Sequence, residues 1–365
     1  METILWAGTR KGLVKFENLG NADWQLIHTS FAGEPVSMVL ADDRDRTLYV
    51  ALNLEHFGPK LHRSEDGGLS WTEIQVPAFP VTDGDPEAAS DAAKRLSVEQ
   101  VFCLEKGTVA GEIWAGTIPC GLFRSRNRGE SWELINSLTD MENCANWFGG
   151  GTDAPALHSI CINPENPQQV RVAISCGGVW ESNDGCHSWE SRTHGMRAAY
   201  MPPEQAFNPD AQDPHCLVVS ASDQDRLWVQ HHNGIFKSVD GGLNWLEIEE
   251  AGPSVFGFAV AVHPTEPDTA WFVPGVKDEC RMPVDNKLVV TRTRDGGKSF
   301  DVLSNGLPQQ HSFDLIYRHG LALGADGTQL AIGSTSGNLW LSADQGDNWQ
   351  ELSHTLAPVY CLRFA

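Results

Sequence analysis

Positive charge is scarce in this chain: 26 Lys and Arg stand against 48 Asp and Glu, a formal charge of −22 over 365 residues. A surface this acidic repels a phosphate backbone, so nucleic acid is not an expected partner. No apolar run approaches the roughly 20 residues of a membrane helix, and no membrane partner is expected either. The stretch from Met1 to Gly12 has no basic segment leading into a long apolar one, so it does not read as a secretory leader. The nine cysteines are odd in number, scattered and without Cys-x-x-Cys spacing, which argues against a disulfide framework or a structural zinc site. A reducing, cytoplasmic location is the expectation. Metal-binding signatures such as His-Glu-x-x-His are missing, and tyrosine is rare, with four in the chain.

Glycine (35) and tryptophan (13) are plentiful, and they recur together. Ser64 to Trp71 reads Ser-Glu-Asp-Gly-Gly-Leu-Ser-Trp, and the pattern Ser/Thr-x-Asp-x-Gly-x-Ser/Asn-Trp/Phe returns from Ser125, Ser182, Ser238, Thr293 and Ser342. Repetition at roughly 40–60 residues marks a propeller or a repeat array. Within each repeat the Asp and Ser side chains can accept bonds from nearby backbone N–H groups, while the Gly supplies positive φ. The second copy shows the strand grammar: Val98 to Leu104, Glu112 to Gly116, Gly121 to Ser125 and Trp132 to Ile135 read as four short strands.

The N-terminus fits this template without its first strand. Ile4 to Thr9, Gly12 to Phe16 and Trp24 to Ile27 read as the second, third and fourth strands, with Glu17 to Gly20 as a decayed seventh copy of the motif. The strand from Pro358 to Phe364 supplies what is missing. The expectation is one all-β domain over 1–365: a seven-bladed propeller of four-stranded antiparallel blades. One blade is shared by 3–27 and 358–364, and six are centred on 64–71, 125–132, 182–189, 238–245, 293–300 and 342–349. Closure leaves no exposed sheet edge at either end of the array.

The eight-residue motif is the Asp-box, or BNR repeat, and the chain resembles the sialidase-like, glycosyl-hydrolase-like propellers that carry it. The resemblance implies that the motif turns lie on one face and that the other face gathers two sets of loops around a central channel. Those are the loops joining second strands to third, and fourth strands to the next blade. Three of the latter are long, 77–97, 136–156 and 191–214, and the first reads as partly helical, with Asp85 as N-cap and Pro86 behind it.

These loops collect the candidate ligand-binding residues Arg10, Lys11, Glu55, His56, His158, Arg197, Tyr200, His231, His232, Lys277, Asp278, Glu279 and Arg281. Arginines converging on one rim of an acidic protein suit a carboxylate or similar anion, though solvated or internally paired loop charges read equally well. The histidines 56, 158, 194, 231 and 232 could ring a divalent metal, but no ligand spacing supports it and no cofactor is expected. Cys120 and Cys176 occupy matching turns where a nucleophile could sit, given a neighbour that lowers the thiol pKa.

The sialidase pattern fails on two counts: the Arg-Ile-Pro sequence expected near the start is missing, and neither Tyr200 nor Tyr317 has an identifiable glutamate partner. Seven-bladed Asp-box relatives include xyloglucan-cleaving hydrolases, with paired aspartates, and a photosystem II assembly factor that binds without catalysis. Two functions follow. One is binding of a small anionic or carbohydrate-like ligand or a protein partner through the loop-rich face, as an accessory or assembly factor. The other is a glycoside-hydrolase-like enzyme, with Asp153, Asp213, Asp278 and Tyr200 as catalytic candidates.

Overall fold

The computed structural model describes residues 3–20, 23–80 and 97–365. Its strands form seven four-stranded antiparallel sheets. The first sheet places Val359–Phe364 beside Ile4–Thr9, followed by Gly12–Asn18 and Trp24–Ser30, so the two ends of the chain share a blade. The first strands of the blades are Val359–Phe364, Val36–Asp42, Gln100–Lys106, Leu157–Ile162, Pro214–Ser220, Gly257–Val262 and Leu321–Leu323. Each touches the next in a closed circuit around the channel. In the blade read most closely from sequence, the strands start and end within two residues of expectation. The helical reading at Asp85 and Pro86 lies outside the described residues. No helix among the described residues is long and apolar enough to cross a membrane.

Alternation along the second strands explains how blades stick together. Trp6, Tyr49, Trp114, Trp228 and Trp271 occupy the same place in five blades, and each lies opposite a cation on the third strand: Lys15, Arg63, Arg124, Lys237 and Arg292. Lys15, Arg124 and Lys237 sit over their partner rings at 5.8, 5.0 and 5.3 Å from the centroid. The charged head itself lies over the ring face in these three, a cation–π contact that ties the second strand to the third. The fourth blade breaks the rule: Arg171 lies opposite Glu181 there, both buried. Trp6 reaches across to the turn of the next blade, where a Cβ on Gly68 would lie 2.5 Å from its ring; Gly68 also has φ of +86°. Only glycine fits both the conformation and the approach.

The six motif turns share one hydrogen-bond set. In 64–71, Ser64 Oγ accepts the Gly68 N–H at 2.9 Å and donates to Asp66 Oδ1 at 2.8 Å, while Asp66 Oδ1 accepts the Ser70 N–H at 2.9 Å. The same contacts recur at Asp184, Asp240, Asp295 and Asp344. In 125–132 the neutral Asn127 takes the place of the aspartate and accepts the Ser131 N–H at 3.0 Å. The closing tryptophan then reaches back to the preceding blade. Trp71, Trp132, Trp189 and Trp245 donate to Ser30, Gln75, Ser137 and Arg192 respectively. These turns build the ring.

Candidate functional site

Six of the seven first strands carry one extra residue near their start. Pairing skips Ser37, Phe102, His158, His215 and Tyr360, and skips one of Phe258 and Ala259. A bulge of this kind leaves a residue out of the ladder and re-aims its side chain. Five of these residues, Ser37, Phe102, His215, Phe258 and Tyr360, line a cavity of about 680 Å³ at the loop-rich mouth. His158 lines a second cavity, which opens past Asp66 and Gly67 of a motif turn. The seventh blade has no such bulge at Leu321–Leu323. The irregular segment ahead of it brings Tyr317, Arg318 and His319 to the mouth cavity instead.

Phe258 is the hub of the mouth. The ring of His215 stacks on it at 4.4 Å and 11°, and the guanidinium carbons of Arg281 and Arg318 lie 5.3 and 5.8 Å from its centroid. Arg318 also sits 5.4 Å from the centroid of Phe102. Its terminal nitrogen donates to Ser175 Oγ at 3.3 Å, but its Nε is buried without a partner and no carboxylate pairs with it among the described residues. Burial pulls its pKa down from the usual arginine value. Arg318 and His319 line both cavities.

Beside the stack on Phe258, against His215, stands Asp213, just ahead of strand Pro214–Ser220 and 3% exposed. Its Oδ1 accepts the Cys176 N–H at 3.2 Å, and its own N–H is donated to His231 Nε2 at 3.0 Å. Its Oδ2 lies 3.2 Å from His232 Nδ1 and 3.5 Å from His215 Nε2. Burial opposes charge on this carboxyl, but the two histidines against it outweigh burial and hold it well below the usual carboxylate range. The contact with Asp213 raises His232, while burial pulls His215 down. Donor atoms of Asp213, His215 and His232 all lie within 4.8 Å of one another. Two ring nitrogens and a carboxylate oxygen at that spacing could hold a divalent cation.

The cavity gathers eight of the candidate residues singled out from sequence: Arg10, Glu55, Cys176, Tyr200, Asp213, His232, Asp278 and Arg281. Asp278 and Arg281 pair with each other at 2.7 Å. Tyr200 donates to the Ala211 carbonyl, and burial raises its pKa.

The others lie elsewhere. Lys11, His56 and Asp153 are exposed away from the cavity, Lys277 pairs with Glu279 on the surface, and Arg197 pairs with Glu247 at 2.8 Å. His231 is fully buried, held down to about 3 by burial, and spends its Nε2 on the Asp213 backbone. The five-histidine ring is therefore not assembled. His194 bonds to Asn244 of a motif turn and His158 faces the second cavity, so His232 alone of the five joins Asp213 and His215. Burial raises the thiols of both Cys120 and Cys176, which opposes a thiolate nucleophile at neutral pH. All nine cysteines are free.

No family model matches the chain. It is distantly related in sequence to a protein of Neosartorya fischeri described as "Probable oligoxyloglucan-reducing end-specific xyloglucanase", 23% identical over 359 residues. The match covers 91% of this chain but only 40% of that protein's length. Among solved structures, an ancestral GH74 enzyme superposes with a TM-score of 0.58 at 18% identity, over 95% of this chain and 40% of its own. Ycf48 bound to D1 peptide gives 0.54 at 13% identity, over 94% and 91%. A functionally unknown protein of Desulfotomaculum acetoxidans gives 0.58 at 10% identity, over 100% and 99%. At such identities the structural matches establish the fold alone.

The residues that sequence reading passed over share a signature that no periodicity reveals. Phe102 and Phe258 look like ordinary strand residues until a bulge turns them to the channel. Arg318 lies within the connection 304–320, which is somewhat shorter than the three long loops but still longer than most. Its length was the available signal.

Proposed function

We propose that this chain is a glycoside-hydrolase-like propeller whose loop-rich mouth binds a small anionic, carbohydrate-like ligand, with Arg318 holding the negative group. The observation that carries the reading is the Arg318 guanidinium: partly buried, flanked by Phe102 and Phe258, and without a carboxylate partner among the described residues. Cations in protein interiors are ordinarily paired. An arginine fork left open in a cavity suits the two oxygens of a carboxylate. Arg10 and Arg281 line the same space, and the rings of Phe102, Phe258, Tyr317 and Tyr360 offer apolar faces for a sugar ring. Calorimetric titration with uronic acids and their neutral parent sugars tests this. The acid should bind and the neutral sugar should bind far more weakly, whereas equal binding or none by either would refute it.

The distant xyloglucanase relationship favours a second reading, hydrolysis of a glycoside in the same mouth. Asp213, held ionised, and Asp278 both line the cavity, with Glu55 as a third carboxyl there. Turnover of aryl glycosides that disappears in both Asp213→Asn and Asp278→Asn would establish it, and turnover that survives both would dismiss it.

A further inference from the structure

We propose that Asp213, His215 and His232 form a binding site for one divalent transition-metal ion, open toward the mouth cavity. This does not depend on the ligand proposed above, because it concerns the protein alone.

The argument starts from hydrogen positions. His215 Nδ1 lies 2.7 Å from the Gly257 carbonyl oxygen, which can only accept, so the proton is on Nδ1. In the neutral ring Nε2 then presents a lone pair, and it presents it to Asp213 Oδ2, another acceptor, at 3.5 Å. Were the ring an imidazolium, the two would form a charge-assisted hydrogen bond, which normally closes to about 2.7–2.9 Å. A gap of this width is long for a strong hydrogen bond and leaves room for an ion between the two atoms.

Distances fit an ion. Ligands held about 2.1 Å from a tetrahedral metal lie roughly 3.4 Å apart. Asp213 Oδ2 is 3.5 Å from His215 Nε2 and 3.2 Å from His232 Nδ1. The remaining edge, between the two histidines, is no longer than 4.8 Å. His232 is partly exposed, and its ring can swing to shorten that edge.

Outer contacts fit as well. A metal-bound histidine commonly gives its other N–H to a carbonyl, and a bound carboxylate is itself hydrogen-bonded. His215 does the first through Gly257, and Asp213 does the second through Oδ1 and the Cys176 N–H, leaving Oδ2 for the ion. The stack on Phe258 fixes the plane of the His215 ring.

Two imidazoles and one carboxylate suit zinc, cobalt, manganese or ferrous iron. With three protein ligands, at least one position remains for water or for an oxygen of the bound molecule.

The test is titration of the chelator-treated full chain with Co²⁺, read by visible absorption, and with Zn²⁺, read by calorimetry. One equivalent should bind, and the cobalt spectrum should show ligand-field bands without a thiolate charge-transfer band. His232→Gln and, independently, His215→Gln should weaken binding by more than the ~10–100-fold that loss of an outer partner costs. His194→Gln should leave it unchanged. If no ion binds stoichiometrically, if a thiolate band dominates, or if His232→Gln binds as the parent does, the site does not exist. Should either variant fold poorly, X-ray absorption of the unmodified cobalt protein decides: two nitrogen-type imidazole shells support the site, and sulfur ligation overturns it.

Discussion

Arg171 lies opposite Glu181 on the neighbouring strand, Nε to Oε1 at 2.8 Å, in the place where five other blades set an aromatic ring beneath a cation. Both are buried, and Glu181 also holds Arg192 at 2.7 Å. Removing the carboxylate leaves the buried Arg171 without its acid and Arg192 with Glu190 alone. Glu181→Ala should therefore cost about 3–5 kcal/mol in denaturant unfolding. The paired change Arg171→Trp with Glu181→Lys restores the arrangement of the other blades. It should cost less than the sum of its single substitutions, and an additive double-mutant cycle would show that the two positions are not interchangeable units.

Arg318 carries opposite consequences for binding and for stability. Arg318→Gln should weaken an anionic ligand by about 1.5–3 kcal/mol, the worth of a charge-assisted bond. In the free protein, Arg318→Met removes a partly buried cation with no carboxylate in contact, its desolvation offset only from a distance by the Asp213 charge, so unfolding should need more denaturant. A variant that loses both affinity and stability would place Arg318 in the scaffold instead.

The motif turns make the ring sensitive to acid. Hydrogen bonds from the side chain and backbone of Ser70 hold Asp66 at about 2, and those of Ser299 hold Asp295 at about 2. An unfolded aspartate titrates near 3.9. Because the folded values are depressed, the stabilisation is present above the unfolded value and disappears as pH falls from about 4 toward 2. Asn127 is the built-in comparison, being neutral at every pH. Asp66→Asn should flatten the fall in melting temperature between pH 4 and 2, and Asn127→Asp should steepen it. Parallel curves for all three proteins would contradict this.

Deleting Pro358 to Ala365 removes the first strand of the blade that both chain ends share. Val359 and Leu362 are fully buried, worth about 1.5–3 kcal/mol each. The strand also joins the inner circuit on both sides. The truncated chain should melt in one transition at lower temperature. An unchanged midpoint, or a small early transition followed by the original one, would mean that the blade frays alone.

The architecture was legible because it repeats. Six copies of a turn with a fixed polar logic at Ser64, Asp66 and Gly68 announce six blades, and the strand at Pro358 completes the seventh. The site was only half legible. Loop position alone separated Asp213, His232 and Arg281 from the core, but it could not separate them from Lys11, His56 or Glu279, which share the loops and face water. His231 and His232 are neighbours with opposite fates, one spent on a backbone N–H and the other beside a carboxylate, and nothing in their order reveals which is which. Phe102 and Phe258 were hidden further, since the one residue that a bulge adds leaves no mark in the sequence pattern.

Those bulges separate what holds the ring from what the ring holds. A residue left out of the ladder answers to no partner strand in its own blade, so Phe102 and Tyr360 can change without breaking a ladder bond, whereas Ser37 and His215 also bond across to Val101 and Gly257 of the next blade. Descendants of this chain could exchange the lining of the channel one position at a time, each change tried against an unaltered scaffold. For the same reason, a library confined to Phe102 and Tyr360 would sample new specificities while nearly every member still folds.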